Sequence, residues 1–168
     1  LDTISLTRLQ TVHPELRRRI LQLDQLLTAS SLAIHLRVTQ ALRTWPEQAA
    51  LYAQGRTVPG PIVTNAKPGT SMHNYGLAVD CCPDLPGLTA LTWKPDWSSA
   101  DARWKSFLAQ ALTCGLAEGA TWRSFPDAPH LYLQELPADP DDNLKALLTD
   151  GGIQGVWDWV DLTYGFSN

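Results

Sequence analysis

Cysteine, methionine and histidine are all scarce in this 168-residue sequence, at three, one and four residues. Cys81 and Cys82 are adjacent and Cys114 is distant, so there is no Cys-x-x-Cys pair and no even-numbered disulfide framework. Buried thiols beside a strand are the reading that remains. An excess of positive charge is also missing. A net charge of −4 and a pI near 5.4 argue against a nucleic-acid partner. The one dense basic run, Arg17-Arg18-Arg19, lies in a helical pattern and reads as a solvated face. No apolar stretch approaches the ~20 residues of a transmembrane segment, and no basic-then-apolar leader stands at Leu1. Internal repeats, low-complexity tracts and linkers are absent as well.

What is present is an ordinary globular composition, 44% hydrophobic and 18% charged. The length predicts a single domain over residues 1–168, large enough to bury a core without staples, and the expected state is a monomer. Seven tryptophans are many for this length. They suit a core, or a site that grips flat or sugar-like ligands.

Residues 13 to 29 read as a helix, with Pro14 in its first turn and Leu16, Ile20, Leu23 and Leu27 at helical spacing. Alternation from Ile34 to Arg43 reads as a strand. A second helix opens near Pro46, runs through "EQAALYAQ" and stops at Gly55. Residues 55 to 69 carry three prolines, three glycines and Asn65, the composition of a loop long enough to be functional or mobile. A third helix is expected from about Ala100 to Thr113, with Trp104, Phe107, Leu108, Ala111 and Leu112 inward. "HLYLQEL" reads as a strand and "NLKALLTDGG" as a short helix closed by glycine. The order predicts an α+β domain built around a small antiparallel sheet.

Chemistry concentrates in two stretches. In "TSMHNYGLAVDCCP", His73 and Asp80 are seven residues apart, roughly 23 Å if extended. Serving one site therefore requires a turn, and Asn74-Tyr75-Gly76 suits one. Leu77 to Asp80 then forms a short strand that returns the carboxylate to the imidazole. In "WRSFPDAPHLYLQ", Pro129 keeps Ala128 out of helical geometry. A strict strand would point Asp127 and His130 to opposite faces, whereas a turn through Asp127-Ala128-Pro129 brings both to one cavity. Two imidazoles and a carboxylate make a common catalytic zinc set, with a further acid left as general base. The competing reading is two satisfied polar pairs at strand ends. His13 fits a helix cap or the surface, and His35 the polar face of a strand.

The full string "SMHNYGLAVD", residues 71 to 80, resembles the SxHxxGxAxD motif of zinc peptidases of the VanY/D-alanyl-D-alanine carboxypeptidase (M15) family. The resemblance runs continuously from Leu36 to Asp80 and resumes at "WRSFPDAPHLYLQ". It implies the Hedgehog/DD-peptidase-like zinc peptidase fold and one Zn²⁺ per chain held by His73, Asp80 and His130. Asp127 matches the catalytic acid/base, Arg43 the arginine facing the substrate carbonyl, and Ser71 the serine beside the substrate. An ion pair with Glu47 is the structural alternative for Arg43. Trp122 suits a cleft wall or the core.

The form Asp127-Ala128-Pro129-His130 is similar to the L-alanyl-D-glutamate endopeptidases, including many phage endolysins, and not to the branches with Glu-Trp-His. The implied partner is a peptidoglycan stem peptide. The implied setting is the bacterial cell wall, reached by a phage endolysin or an exported bacterial enzyme. A D-alanyl-D-alanine carboxypeptidase and a zinc-bearing wall-binding module are the alternatives. Two departures from the family pattern, "QALR" in place of the more usual Gly-aromatic before the arginine and "DCC" where an aromatic is common after the strand, bear on the substrate cleft.

Overall fold

The computed structural model describes residues 1–84 and 102–166. The chain opens on α1 (Thr3–Leu9), α2 (Pro14–Ala29), β1 (His35–Gln40) and α3 (Trp45–Ala53). A single 3₁₀ turn, Met72–Tyr75, precedes β2 (Ala78–Asp84). Then follow α4 (Ala102–Thr113), β3 (Leu116–Gly119), β4 (Asp127–Leu133) and α5 (Asp142–Tyr164). The four strands form one antiparallel sheet in the order β1-β2-β4-β3, so the expected α+β class with a small antiparallel sheet is the fold observed. No helix among the described residues is long and apolar enough to cross a membrane.

Helix α2 forms where its pattern placed it. His13 caps it, its Nδ1 accepting from the Glu15 N–H at 3.2 Å, and Leu16, Ile20, Leu23 and Leu27 are fully buried. Each such leucine stabilises by about 2 kcal/mol. His13 is therefore a cap, but a buried one, its Nε2 3.2 Å from Asp161 on α5. Helix α3 closes a capping box: Thr44 Oγ1 accepts from the Glu47 N–H, and the Glu47 carboxylate accepts from the Thr44 N–H.

Several expectations need correction. Arg19 is not solvated; it is buried, paired with Glu15 and Glu135, and donates to the Gly115 carbonyl. Only Arg17 and Arg18 face water. Leu112 lies on the outer face of α4, 55% exposed, because the inward stripe follows Trp104, Phe107 and Ala111. The first residues of that expected helix, 100 and 101, lie outside the described residues. The strand read from Ile34 to Arg43 is confined to His35–Gln40. The strand read from His130 to Leu136 instead begins at Asp127. The helix read at 143–152 does break at its glycines, but a further helical stretch follows that was not expected. Gly152 adopts φ 63° and ψ −165°, breaking the helical path, and helix resumes to Tyr164. Helix α1 and strand β3 had no clear signal, being only seven and four residues long.

Candidate metal centre and active site

The site is assembled by one tight turn and one sheet pairing. After extended Ser71 the chain makes the 3₁₀ turn, and Gly76 ends it in the left-handed region at φ 63°. A side chain at Gly76 would also approach the Thr11 carbonyl and the Trp157 ring to 3.0 Å, so glycine is required twice over. The Gly76 carbonyl accepts from the His13 N–H and the Tyr75 carbonyl from the Trp157 indole N–H, which fastens the turn to α2 and α5. Strand β2 then carries Asp80 directly opposite His130 of β4.

Irregularities flank this pair on both sides. On β1 the register steps from Val38↔Cys81 to Gln40↔Asp80, leaving Thr39 as an extra residue whose hydroxyl donates to the Asp80 carbonyl at 3.1 Å. On β3, Glu118 faces Leu131 but Gly119 faces Asp127. The residues between them on β4, Ala128 to His130, have no β3 partners, so Asp127 is released from strict alternation. The expected turn at 127–129 is thus a bulged strand, and both Asp127 and His130 line the same cavity. Bulges commonly re-aim side chains beside active sites in this way.

Three donor atoms converge on the cavity floor. His73 Nε2 is 3.2 Å from Asp80 Oδ1 and 3.2 Å from His130 Nδ1, and the last two atoms are 3.4 Å apart. These residues form a group able to hold a metal ion. Ligand bonds of ~2.0–2.1 Å at tetrahedral angles separate donor atoms by about 3.3–3.4 Å, so the triangle has the dimensions of a zinc site. The proton positions agree with it. His73 Nδ1 donates to the Ala41 carbonyl at 2.8 Å, which turns Nε2 towards the triangle. Burial alone would raise the Asp80 carboxyl, but the two imidazoles outweigh it and hold the carboxyl well below the usual range. An ionised carboxylate and two imidazole nitrogens is a donor set that fits a zinc ion.

Around the triangle lies a cavity of about 760 Å³. Asp127 lines it, its carboxyl pushed up to about 6 by burial and by the Asp80 charge, against the pull of His130 and Arg43. Arg43 is buried and also lines it. Its Nη1 donates to Gln48 Oε1 at 2.8 Å and its Nη2 to Asp80 Oδ2 at 3.4 Å, while Nε is buried without a hydrogen-bond partner among the described residues. Burial pulls this guanidinium below its ordinary value, opposed by Asp80 and Asp127. The alternative ion pair with Glu47 does not form, because that carboxylate serves the capping box. Ser71 sits on the cavity wall and its side chain makes no cap to the 3₁₀ turn. Trp122 is both wall and packing: it lines the cavity and its ring lies 4.9 Å from that of His130.

His13 and His35 stand apart from this cavity, as expected, and Glu135 is engaged by Arg19. The cysteines Cys81, Cys82 and Cys114 are buried. Sequence reasoning overlooked Gln48 and Asn74, the buried amides behind Arg43. Gln48 shares its helix face with Leu51 and Tyr52, a polar residue among apolar ones, and that signal was available.

Fold and site together define a mixed helix-and-sheet domain with a His-Asp-His group, able to hold a metal ion, at the base of a cleft. The chain matches, over residues 64–133, a family model described as D-alanyl-D-alanine carboxypeptidase. It is 36% identical over 108 residues to the peptidoglycan L-alanyl-D-glutamate endopeptidase CwlK of Bacillus subtilis (strain 168). That match covers 62% of this chain and 64% of CwlK, so the chain spans under two thirds of the relative's length. Among solved structures, the L-Ala D-Glu endopeptidase ChiX of Serratia marcescens superposes with a TM-score of 0.53 at 24% identity, covering 79% of this chain and 88% of ChiX. The vancomycin-resistance D,D-dipeptidase VanXYg, solved with a D-Ala-D-Ala phosphinate analogue, gives 0.56 at 16% identity, covering 90% and 60%. Both structural likenesses concern the fold.

Proposed function

We propose that this chain is a zinc-dependent peptidase domain, extending over residues 1–168, that hydrolyses the L-alanyl-D-glutamyl bond of the peptidoglycan stem peptide. One observation carries the reading: the donor triangle of His73, Asp80 and His130 and the raised carboxyl of Asp127 share one cavity. The likeness to CwlK supports the choice of bond. So does Pro129 on the cavity wall, which leaves more room beside the metal site than an aromatic would for a continuing peptide.

In this reading His73, Asp80 and His130 hold one zinc. A bound zinc supplies a Lewis acid that polarises the scissile carbonyl and makes an attacking water more acidic. Asp127, largely ionised at neutral pH, takes the proton of that water and passes it to the departing amine. Arg43 donates to the carbonyl oxygen as negative charge grows there. Ser71 and Trp122 line the path of the peptide. All these residues come from one chain, so a monomer suffices, acting at the bacterial cell wall as a phage endolysin or an exported bacterial enzyme.

The second reading, a D-alanyl-D-alanine carboxypeptidase, is favoured by Arg123, a cation on the cavity wall that suits a terminal carboxylate. Mass spectrometry of digested peptidoglycan separates the two. Stem peptides beginning at D-glutamate, with L-alanine left on the glycan, are expected. Free D-alanine with the L-alanyl bond intact would establish the carboxypeptidase instead.

A further inference from the structure

Gln48 is fully buried on α3. An amide is costly there unless both of its ends are paired, and both are. Its Oε1 accepts from Arg43 Nη1 at 2.8 Å, and its Nε2 donates to the Ala66 carbonyl at 2.8 Å. Asn74 makes a second bridge: its Nδ2 donates to the Arg43 carbonyl at 2.8 Å and its Oδ1 accepts from the Gly69 N–H at 3.0 Å. Two buried carboxamides thus each join Arg43 to the segment that forms one wall of the cavity. Asp80 holds Arg43 more loosely, at 3.4 Å, long for a charge-assisted bond. The short bond made by the guanidinium is the one it donates to Gln48.

We infer that Gln48 is a positioning residue: it fixes the Arg43 guanidinium in the cavity and, through the same amide, ties it to the wall at Ala66. The inference rests on the reading of Arg43 as donor to the scissile carbonyl oxygen. Only a carboxamide satisfies both partners. A carboxylate keeps an acceptor for Arg43 but sets oxygen against oxygen at Ala66. An apolar side chain loses both partners.

The test uses the zinc-loaded full chain and a soluble stem peptide containing the L-alanyl-D-glutamyl bond. Gln48→Met should lower kcat by about 10- to 100-fold, the scale of a misplaced catalytic group, with a smaller change in KM. Gln48→Glu, which retains the acceptor, should recover most of that loss. In an Arg43→Ala background Gln48→Met should cost less than about twofold, because its effect runs through Arg43. An equal loss in both backgrounds, or no advantage of Glu over Met, overturns the inference. If Gln48→Met does not fold, Gln48→Asn, one methylene short of its partners, replaces it.

A readout independent of turnover is nitrogen-15 NMR of the Arg43 side chain. Guanidinium hydrogens should exchange slowly with water in the native chain and in Gln48→Glu, and faster in Gln48→Met. Equal exchange in all three overturns the inference, whatever Arg43 does to the substrate. Full kcat in Arg43→Ala alone would instead remove the oxyanion reading and leave the exchange measurement to decide the role of Gln48.

Discussion

Replacing Asp127 by asparagine should make the protein more stable and much less active. The carboxyl is raised from its ordinary 3.8 to about 6, first by burial and then by the Asp80 charge. A difference of that size corresponds to up to about 3 kcal/mol between charged and neutral forms. The sign follows from linkage. Between the unfolded value near 3.8 and the folded value near 6 the native state binds more protons, so stability falls as pH rises through that window. Above it, the metal-free protein carries the full cost of an ionised Asp127. Asparagine has nearly the same shape and no charge, so Asp127→Asn should gain up to about 3 kcal/mol at pH 7 and almost nothing at pH 4.

Bound zinc offsets part of that cost, so the gain should shrink when metal is added. Turnover should fall by about 10²–10⁴, the usual worth of a general base. Urea unfolding at pH 4 and pH 7, with and without zinc, measures the first effect, and steady-state kinetics the second. A pH-independent change in stability would refute the buried-charge argument. Near-native turnover with zinc retained would take the base role away from Asp127, and Glu135, bound by Arg19, offers no substitute.

His73→Ala removes one corner of the donor triangle, so metal analysis of the purified variant should show severe loss of zinc. Full occupancy would exclude His73 as a ligand. Arg43→Ala should depress kcat more than it raises KM, since its bond to the carbonyl oxygen strengthens in the transition state. A change confined to KM would mark it as a ground-state anchor. Gly76→Ala forces a side chain into the left-handed region against the Thr11 carbonyl and Trp157. It should destabilise by about 1–3 kcal/mol in thermal unfolding and weaken zinc binding through the turn that carries His73. Native stability in that variant would show that the turn relaxes freely.

The metal half of the site was legible because its logic is local. His73, Gly76 and Asp80 lie within eight residues, and a turn followed by a strand is the one short route that brings the two side chains together. Helix α2 was equally plain, since one apolar stripe decides both its existence and its buried face. The glycines within α5 marked the break at Gly152 but not the helical stretch that follows to Tyr164.

Other features depend on partners far away in sequence. Alternation along β4 would have pointed Asp127 away from His130, and only a skipped register against β3 aims both into the cavity. Arg19 looked like one of three solvated arginines until Glu135, 116 residues distant, and the Gly115 carbonyl buried it. Gln48 and Ala66, the partners that hold Arg43 and the cavity wall, meet through side-chain geometry that no spacing rule encodes. Sequence by itself determined which atoms have the chemistry to bind metal, because ligand type and a tight turn are properties of a short segment. Tertiary structure decided which acid faces those ligands and how the arginine is held, because a side chain's direction and pairing depend on strands and helices packed against it from elsewhere in the chain.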